Sequence, residues 1–235
     1  MNLLCIDTTS PALVLCLVTA DRPLVGRVCA TGGQHAEVLL PEIGALLEEA
    51  QLDRARVDAV GVTLGPGGFT SVRVGLATAK GLCLAGGRTL YAASSLRALA
   101  FGALPGVASG PLAVVTRAYR GEVYAALYAA DGSSLREVLS PLHATPDAAA
   151  QQLRQAAAEA GFGAVAVLGD GVAQAPEAFA DPARFTLLPA SLASLTAEAL
   201  GSALLDEVRA GRTRDVTTLE PEYLRPPDAA LPQVR

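Results

Sequence analysis

Residues Gly65–Leu82 read GPGGFTSVRVGLATAKGL. They follow an apolar run, Val57 to Leu64, with the character of a buried strand, and they lead into a helical pattern. The stretch is therefore a strand, a glycine turn and a helix, the unit in which α/β proteins place their sites. Gly65, Gly67 and Gly68 around Pro66 permit left-handed or tightly turned backbone, with Thr70 or Ser71 as helix caps. Such a turn can cradle an anion. The phosphate-loop signatures nevertheless fail here. Phe69 to Arg73 supply no Gly-Lys-Ser/Thr ending, and Thr70 stands where a dinucleotide fingerprint needs its third glycine.

The helix says more than the loop. Gly75 and Gly81 lie inside it, each costing about 1 kcal/mol relative to alanine. With Ala77, Thr78 and Ala79 they leave one side nearly bare of side chain. Val72, Leu76, Ala79 and Cys83 recur at helical spacing, and Gly75, Ala79 and Leu82 continue the stripe around the same side. One apolar stripe suffices for packing on the helix's own sheet. A further small-residue surface predicts a second helix docked from outside, and Gly75→Arg or Leu76→Asp would then abolish pairing while leaving the monomer folded.

The chain has 235 residues, enough for one large or two small domains with a proper core. Hydrophobic residues make up 51% and charged ones 17%, which excludes a disordered chain. The net charge is −5, and the basic residues, all arginine except Lys80, are scattered singly save around Arg209, Arg212 and Arg214. That disfavours independent nucleic-acid binding. Cys5, Cys16, Cys29 and Cys83 sit in apolar contexts without a CxxC pair, as reduced cytosolic thiols do. Asp7 interrupts the first apolar run, and prolines and glycines break the longest uncharged stretch, Ala98 to Thr116. The expectation is no secretion signal, no membrane span and a cytoplasmic location.

Three apolar runs, Asn2–Thr8, Ala12–Thr19 and Leu24–Ala30, are separated by short polar turns at Ser10-Pro11 and Asp21-Arg22-Pro23 and predict an antiparallel meander. A helix follows over Ala36–Gln51, with Leu39, Ile43, Leu46, Leu47 and Ala50 at helical spacing and Pro41 near its first turn or at a kink. After the Val57 strand and the Thr70 helix come a strand, Arg88–Ala93, and a helix, Ser94–Ala103. The cluster Pro105–Pro111 then marks a boundary. Beyond it the order repeats: strands at Leu112–Thr116, Glu122–Ala129 and Leu135–Leu139, a helix at Pro146–Ala160, a strand at Ala164–Leu168 and a helix from about Ser191 to Ala210. The repeat predicts two related α/β halves, residues 1–106 and 107–235, facing each other across a cleft. The proline-bearing tail from Arg212 is expected to be extended.

This duplicated pattern, with Asp7 ending the first strand, resembles the superfamily of actin, heat-shock chaperone ATPases and sugar kinases. It implies two actin-like (ribonuclease H-like) lobes, each a mixed sheet with helices. GPGGFTSVR at Gly65–Arg73 is similar to the GPGSFTGxR signature of the bacterial TsaB (YeaZ) family, and MNLLCIDTTS, His35–Ile43, AKGL at Ala79–Leu82 and PEYLR at Pro221–Arg225 match in order. The resemblance implies a non-catalytic subunit of the machinery that forms N6-threonylcarbamoyladenosine at position 37 of tRNAs reading ANN codons. Such a subunit pairs with and activates TsaD and works with the ATPase TsaE, and tRNA is reached through the complex. It forms a homodimer when TsaD is absent. The pairing residues it implies lie on the first two helices: Leu39, Ile43, Leu46, Val72, Gly75, Leu76, Ala79, Leu82 and Cys83. No cofactor is implied for the chain itself, and ATP and magnesium belong to the assembled complex. The family's Asp-Ala-Arg is replaced here by Arg117, Ala118 and Tyr119.

A metal site of the TsaD type needs histidines at i and i+4, and Leu39 stands four residues after His35. His143 lies in an unrelated segment, so no metal ligands are assigned. No Gly-x-Ser-x-Gly setting surrounds any serine, and no catalytic residue is assigned either. Asp7, with Thr8 and Thr9, corresponds by the superfamily resemblance to a magnesium and phosphate site. Thr8 replaces the glycine preferred there, so a structural latch is the favoured reading. Gly169, Asp170 and Gly171 form either an adenine-side turn or a plain strand-to-helix turn. Arg117, Arg120 and Arg225 are candidates for tRNA or partner carboxylates. The rival reading is a stand-alone small actin-like ATPase or kinase using Asp7, Thr9 and the glycine turns.

Overall fold

A computed structural model describes residues 1–18, 23–107 and 109–224. Thr19, the Asp21-Arg22 turn, Arg225 and the tail prolines 226, 227 and 232 lie outside these residues. The first half carries β1 (Leu3–Asp7), β2 (Ala12–Val18), β3 (Pro23–Ala30), α1 (His35–Glu49), β4 (Ala59–Thr63), α2 (Phe69–Gly86), β5 (Thr89–Ala93) and α3 (Ser95–Ala103). The second carries β6 (Ser109–Arg117), β7 (Val123–Asp131), β8 (Ser134–Ala144), α4 (Pro146–Glu159), β9 (Val165–Leu168), the short α5 (Asp170–Gln174), β10 (Phe185–Leu187), α6 (Ala197–Arg209) and β11 (Thr213–Arg214).

The duplication is explicit in the sheets. The first runs β11-β5-β4-β1-β2-β3 and the second β10-β9-β6-β7-β8. In each, the three opening strands pair antiparallel and the two later ones join in parallel beside the first. Central strands buried on both faces explain the unbroken apolar runs such as LLCI and LAVV. Both halves are the actin-like mixed-sheet lobes that the resemblance implied.

Three apolar layers follow. α1 and α2 cover one face of the first sheet, with Leu39, Ile43, Leu46, Leu76 and Cys83 packed among Leu4, Ile6, Leu13 and Leu15. α4 and the edge-to-face pair Phe179 and Phe185 cover the outer face of the second sheet. α3 and α6 fill the space between the sheets, joining Cys5, Val14 and Ala93 to Val114, Ala126 and Tyr128 in one core. α6 thus packs chiefly on the sheet of the opposite half, and β11 extends that sheet at its edge.

Several boundaries differ from the sequence reading. The last helix starts at Ala197, where Thr196 caps it by accepting from Ala199 N at 3.2 Å. Residues 190–193 form a separate 3-10 turn. α2 is capped by the extended backbone of Gly68, with no side-chain cap, so Thr70 and Ser71 sit inside its first turn. α5, β10 and β11 were too short to announce themselves by periodicity.

Candidate functional site

Asp7 ends β1 and is fully buried. Its Oδ1 accepts from the hydroxyls of Thr9 and Thr63, each at 2.5 Å. Its Oδ2 accepts from Ser10 Oγ at 2.6 Å and Ser10 N at 3.3 Å. Four donors on a carboxylate that offers about four lone-pair positions leave nothing for a metal or nucleophile without breaking a bond. The carboxylate fastens the β1–β2 turn to the end of β4. Asp7→Asn, which would turn an amide N–H₂ toward one set of these donors, is expected to cost about 1–3 kcal/mol. Urea denaturation checks it, and an unshifted midpoint would show that this latch does not hold the turn.

The glycine turn closes over the same spot. Thr8 Oγ1 donates to Ser71 O at 2.6 Å, binding the turn after β1 to the first turn of α2. A Cβ at Gly67 would stand 2.6 Å from Thr9 O, and one at Gly75 would collide with Thr8 Oγ1. The glycines permit two backbones to touch, so loop and helix occupy the approach to Thr8 and Thr9. On its other side the turn is pinned by its carbonyls. Ser95 N donates to Gly65 O and Ser95 Oγ to Pro66 O, both at 2.7 Å, and Glu222 N donates to Leu64 O at 2.8 Å.

In the second half, Gly169 and Gly171 lie against the end of β6. Gly169 has φ +118°, and Cβ atoms at the two positions would press on Val115 and Thr116 backbone. Between them Asp170 accepts from Arg117 N and Nε, both at 2.9 Å. The GDG segment is thus a strand-to-helix turn whose acid clamps an arginine. Arg120 lies over the exposed Tyr119 ring at 5.5 Å. His35 is buried with Nε2 3.4 Å from Thr31 Oγ1, and His143 Nε2 stands 2.8 Å from a Glu122 carboxylate oxygen. Among the described residues no group of three or more His, Cys, Asp or Glu side chains is arranged to hold a metal. No described helix is long and apolar enough to cross a membrane.

The pairing residues read from the sequence need a correction of face. Leu39, Ile43, Leu46, Val72, Gly75, Leu76, Ala79 and Cys83 are all buried inside the monomer, and Leu82 is half-buried. The helical stripe they form points at the first sheet, where Leu76, Ala79 and Cys83 join the core of Leu4, Ile6 and Val60. What α2 presents outward is a different line: Phe69, Arg73, Ala77, Gly81 and Leu84, all exposed. Leu84 is 68% exposed and Leu40 on α1 59%. A Cβ at Gly81 would meet nothing within 4 Å.

One cluster escaped the sequence reading. Arg73 lies over the Phe69 ring at 3.7 Å and donates from Nε to Tyr223 OH at 2.6 Å, while the Phe69 and Tyr223 rings stand 5.2 Å apart. It joins GPGGFTSVR to PEYLR, two motifs that were recognised separately. Their 150-residue separation hid the contact.

The family model described as TsaD, tRNA N6-adenosine threonylcarbamoyltransferase, matches residues 30–225. The chain belongs to that family. Within it the likeness is to the TsaB (YeaZ) branch. YeaZ from Pseudomonas aeruginosa superposes with a TM-score of 0.78 at 28% identity, covering 95% of this chain and 99% of that one. The tRNA threonylcarbamoyladenosine biosynthesis protein TsaB of Bacillus subtilis is 28% identical over 139 residues, 59% of this chain and 60% of that protein. An uncharacterized protein of Mycobacterium tuberculosis strain H37Rv is 40% identical over 129 residues, 54% of this chain and 59% of that protein. Sequence matches to curated relatives of this kind thus span less than two thirds of their length. A TsaD of Erythrobacter litoralis aligns over only 18% of its own length. The end-to-end match with YeaZ separates this TsaB-type chain from the longer transferases.

Proposed function

We propose that this chain is the accessory, non-catalytic subunit that pairs with a TsaD transferase in forming threonylcarbamoyladenosine on tRNAs reading ANN codons. The observation that carries the proposal is the end-to-end likeness to YeaZ. Two features support it. The Asp7 carboxylate is occupied by three hydroxyls and a backbone N–H and its surroundings are filled by α2, which argues against an independent ATPase or kinase. The outward line of α2 couples an aromatic-guanidinium cluster to small residues and the bare Leu84, the composition that lets a second helix approach closely.

In this reading the outer surfaces of α1 and α2 meet TsaD, or a second copy of the chain when TsaD is absent. TsaE, ATP with magnesium and tRNA act on the assembled complex, in the cytoplasm. Gly81→Arg tests the face. The side chain enters open space and removes an interior helical glycine, so the monomer keeps its stability or gains up to about 1 kcal/mol. Copurification with TsaD is expected to fall at least about tenfold through steric and charge obstruction. Undiminished copurification by a folded Gly81→Arg chain would move the pairing surface elsewhere.

A further inference from the structure

The outer surfaces of α1 and α2 carry opposite charge. α1 holds Glu37, Glu42, Glu48 and Glu49 and neither lysine nor arginine, whereas α2 holds Arg73 and Lys80 and no acid. Arg27 reaches over from β3 and takes Glu42 at 2.8 Å and Glu49 at 3.0 Å. Glu37 and Glu48 are exposed, and among the described residues neither has an ion-pair partner. They stand about three turns apart on one stripe of α1, as Arg73 and Lys80 stand about two turns apart on one stripe of α2.

Arg73 is held ready for an acid. Its guanidinium lies over the Phe69 ring at 3.7 Å and its Nε donates to Tyr223 OH at 2.6 Å, while among the described residues its two terminal nitrogens have no acceptor. A guanidinium ordered in advance loses less freedom on binding, and its planar fork matches a carboxylate.

The topology decides which helix can meet which. β3, β4 and β5 all point the same way as β1. α1 and α2 each return from the end of one of these strands to the start of the next, so the two run parallel, side by side. A two-fold axis relating two such faces lies in the plane between them. Set across the helices, it lays α1 on α1 and α2 on α2, acid on acid and base on base. Set along the helices, it lays α1 of each copy on α2 of the other with their N-terminal ends together.

We propose that, in the absence of TsaD, a second copy of this chain covers the face with the axis along the helices, so that Arg73 takes the partner's Glu37 while Lys80 lies toward the partner's Glu48. The surface complementary to α2 is the chain's own α1. This rests on the reading that the outer surfaces of α1 and α2 are the pairing face, and adds which helix meets which.

Sedimentation equilibrium of the full-length wild type, of Arg73→Glu, of Glu37→Arg and of the two variants mixed in equal amounts is the test. Each variant alone puts like charges together at both symmetric contacts, so its dimer should dissociate at least about tenfold more readily than the wild type. Mixed, each variant supplies the charge that the other lacks, and dimers should return to near the wild-type dissociation constant. That recovery would also show that both variants are folded. A dimeric wild type with either variant dimerising equally well, or a mixture no tighter than its components, overturns this pairing of helices and leaves the face itself to the Gly81→Arg test. A wild type that stays monomeric overturns the homodimer altogether.

Discussion

Leu76→Asp is expected to unfold the isolated monomer, not to release a partner. Leu76 is 4% exposed and packs in the core between α2 and the first sheet. The variant loses a buried leucine and places an unpaired carboxylate in an apolar layer, together more than about 4 kcal/mol. That is a large share of the 5–15 kcal/mol by which a typical domain is stable. Gly75→Arg fails for a related reason, because any side chain there strikes Thr8 Oγ1. Circular dichroism during urea titration would show either loss of structure in buffer or a greatly lowered midpoint. A Leu76→Asp chain with a native midpoint would mean that this side of α2 is not held against the sheet. Leu84→Asp is the control: its site is 68% exposed, so its stability should change by no more than about 0.5 kcal/mol.

Gly169→Ala is expected to be nearly as damaging although it adds one methyl group. Gly169 has φ 118° and ψ 159°, a region essentially reserved for glycine, and the new Cβ would lie on the Val115 carbonyl oxygen. The obstacle is backbone of the central strand β6, which cannot swing away as a flexible side chain could. Conformational strain and the displaced strand together should cost at least about 3 kcal/mol. Thermal unfolding checks this, and a midpoint within a degree or two of the wild type would contradict the close approach of the β9–α5 turn to β6.

The sequence carried the fold further than it carried the surface. Two runs of three strands, helix and strand were visible because strands buried on both faces leave uninterrupted apolar stretches, and Gly-Pro clusters punctuate them. Placing α6 was harder. Its own periodicity shows an apolar stripe but not that this stripe lies on the sheet of the other half. β11 offers two residues, too few for any pattern.

The face of α2 was the instructive error. Val72, Leu76, Ala79 and Cys83 repeat at helical spacing, which identifies a buried stripe without saying whether a sheet or a second chain buries it. Gly75 looked like room for a partner, whereas its space is taken by Thr8 of the same chain. Gly81 has the open side. The latch at Asp7 was half legible. Thr9 and Ser10 are neighbours in sequence, but the hydroxyl of Thr63 arrives from 56 residues away, by the parallel pairing of β1 with β4.

Threonylcarbamoyl transfer to an unmodified tRNA, by TsaD and TsaE supplied with ATP, magnesium and threonylcarbamoyl-adenylate, tests the central claim most directly. With this chain present the rate should rise at least about tenfold over the mixture without it, a coupling of about 1.4 kcal/mol or more. Gly81→Arg should remove the gain, and the chain alone should transfer nothing. Transfer by the isolated chain, or an equal rate whether it is present or absent, would contradict the account.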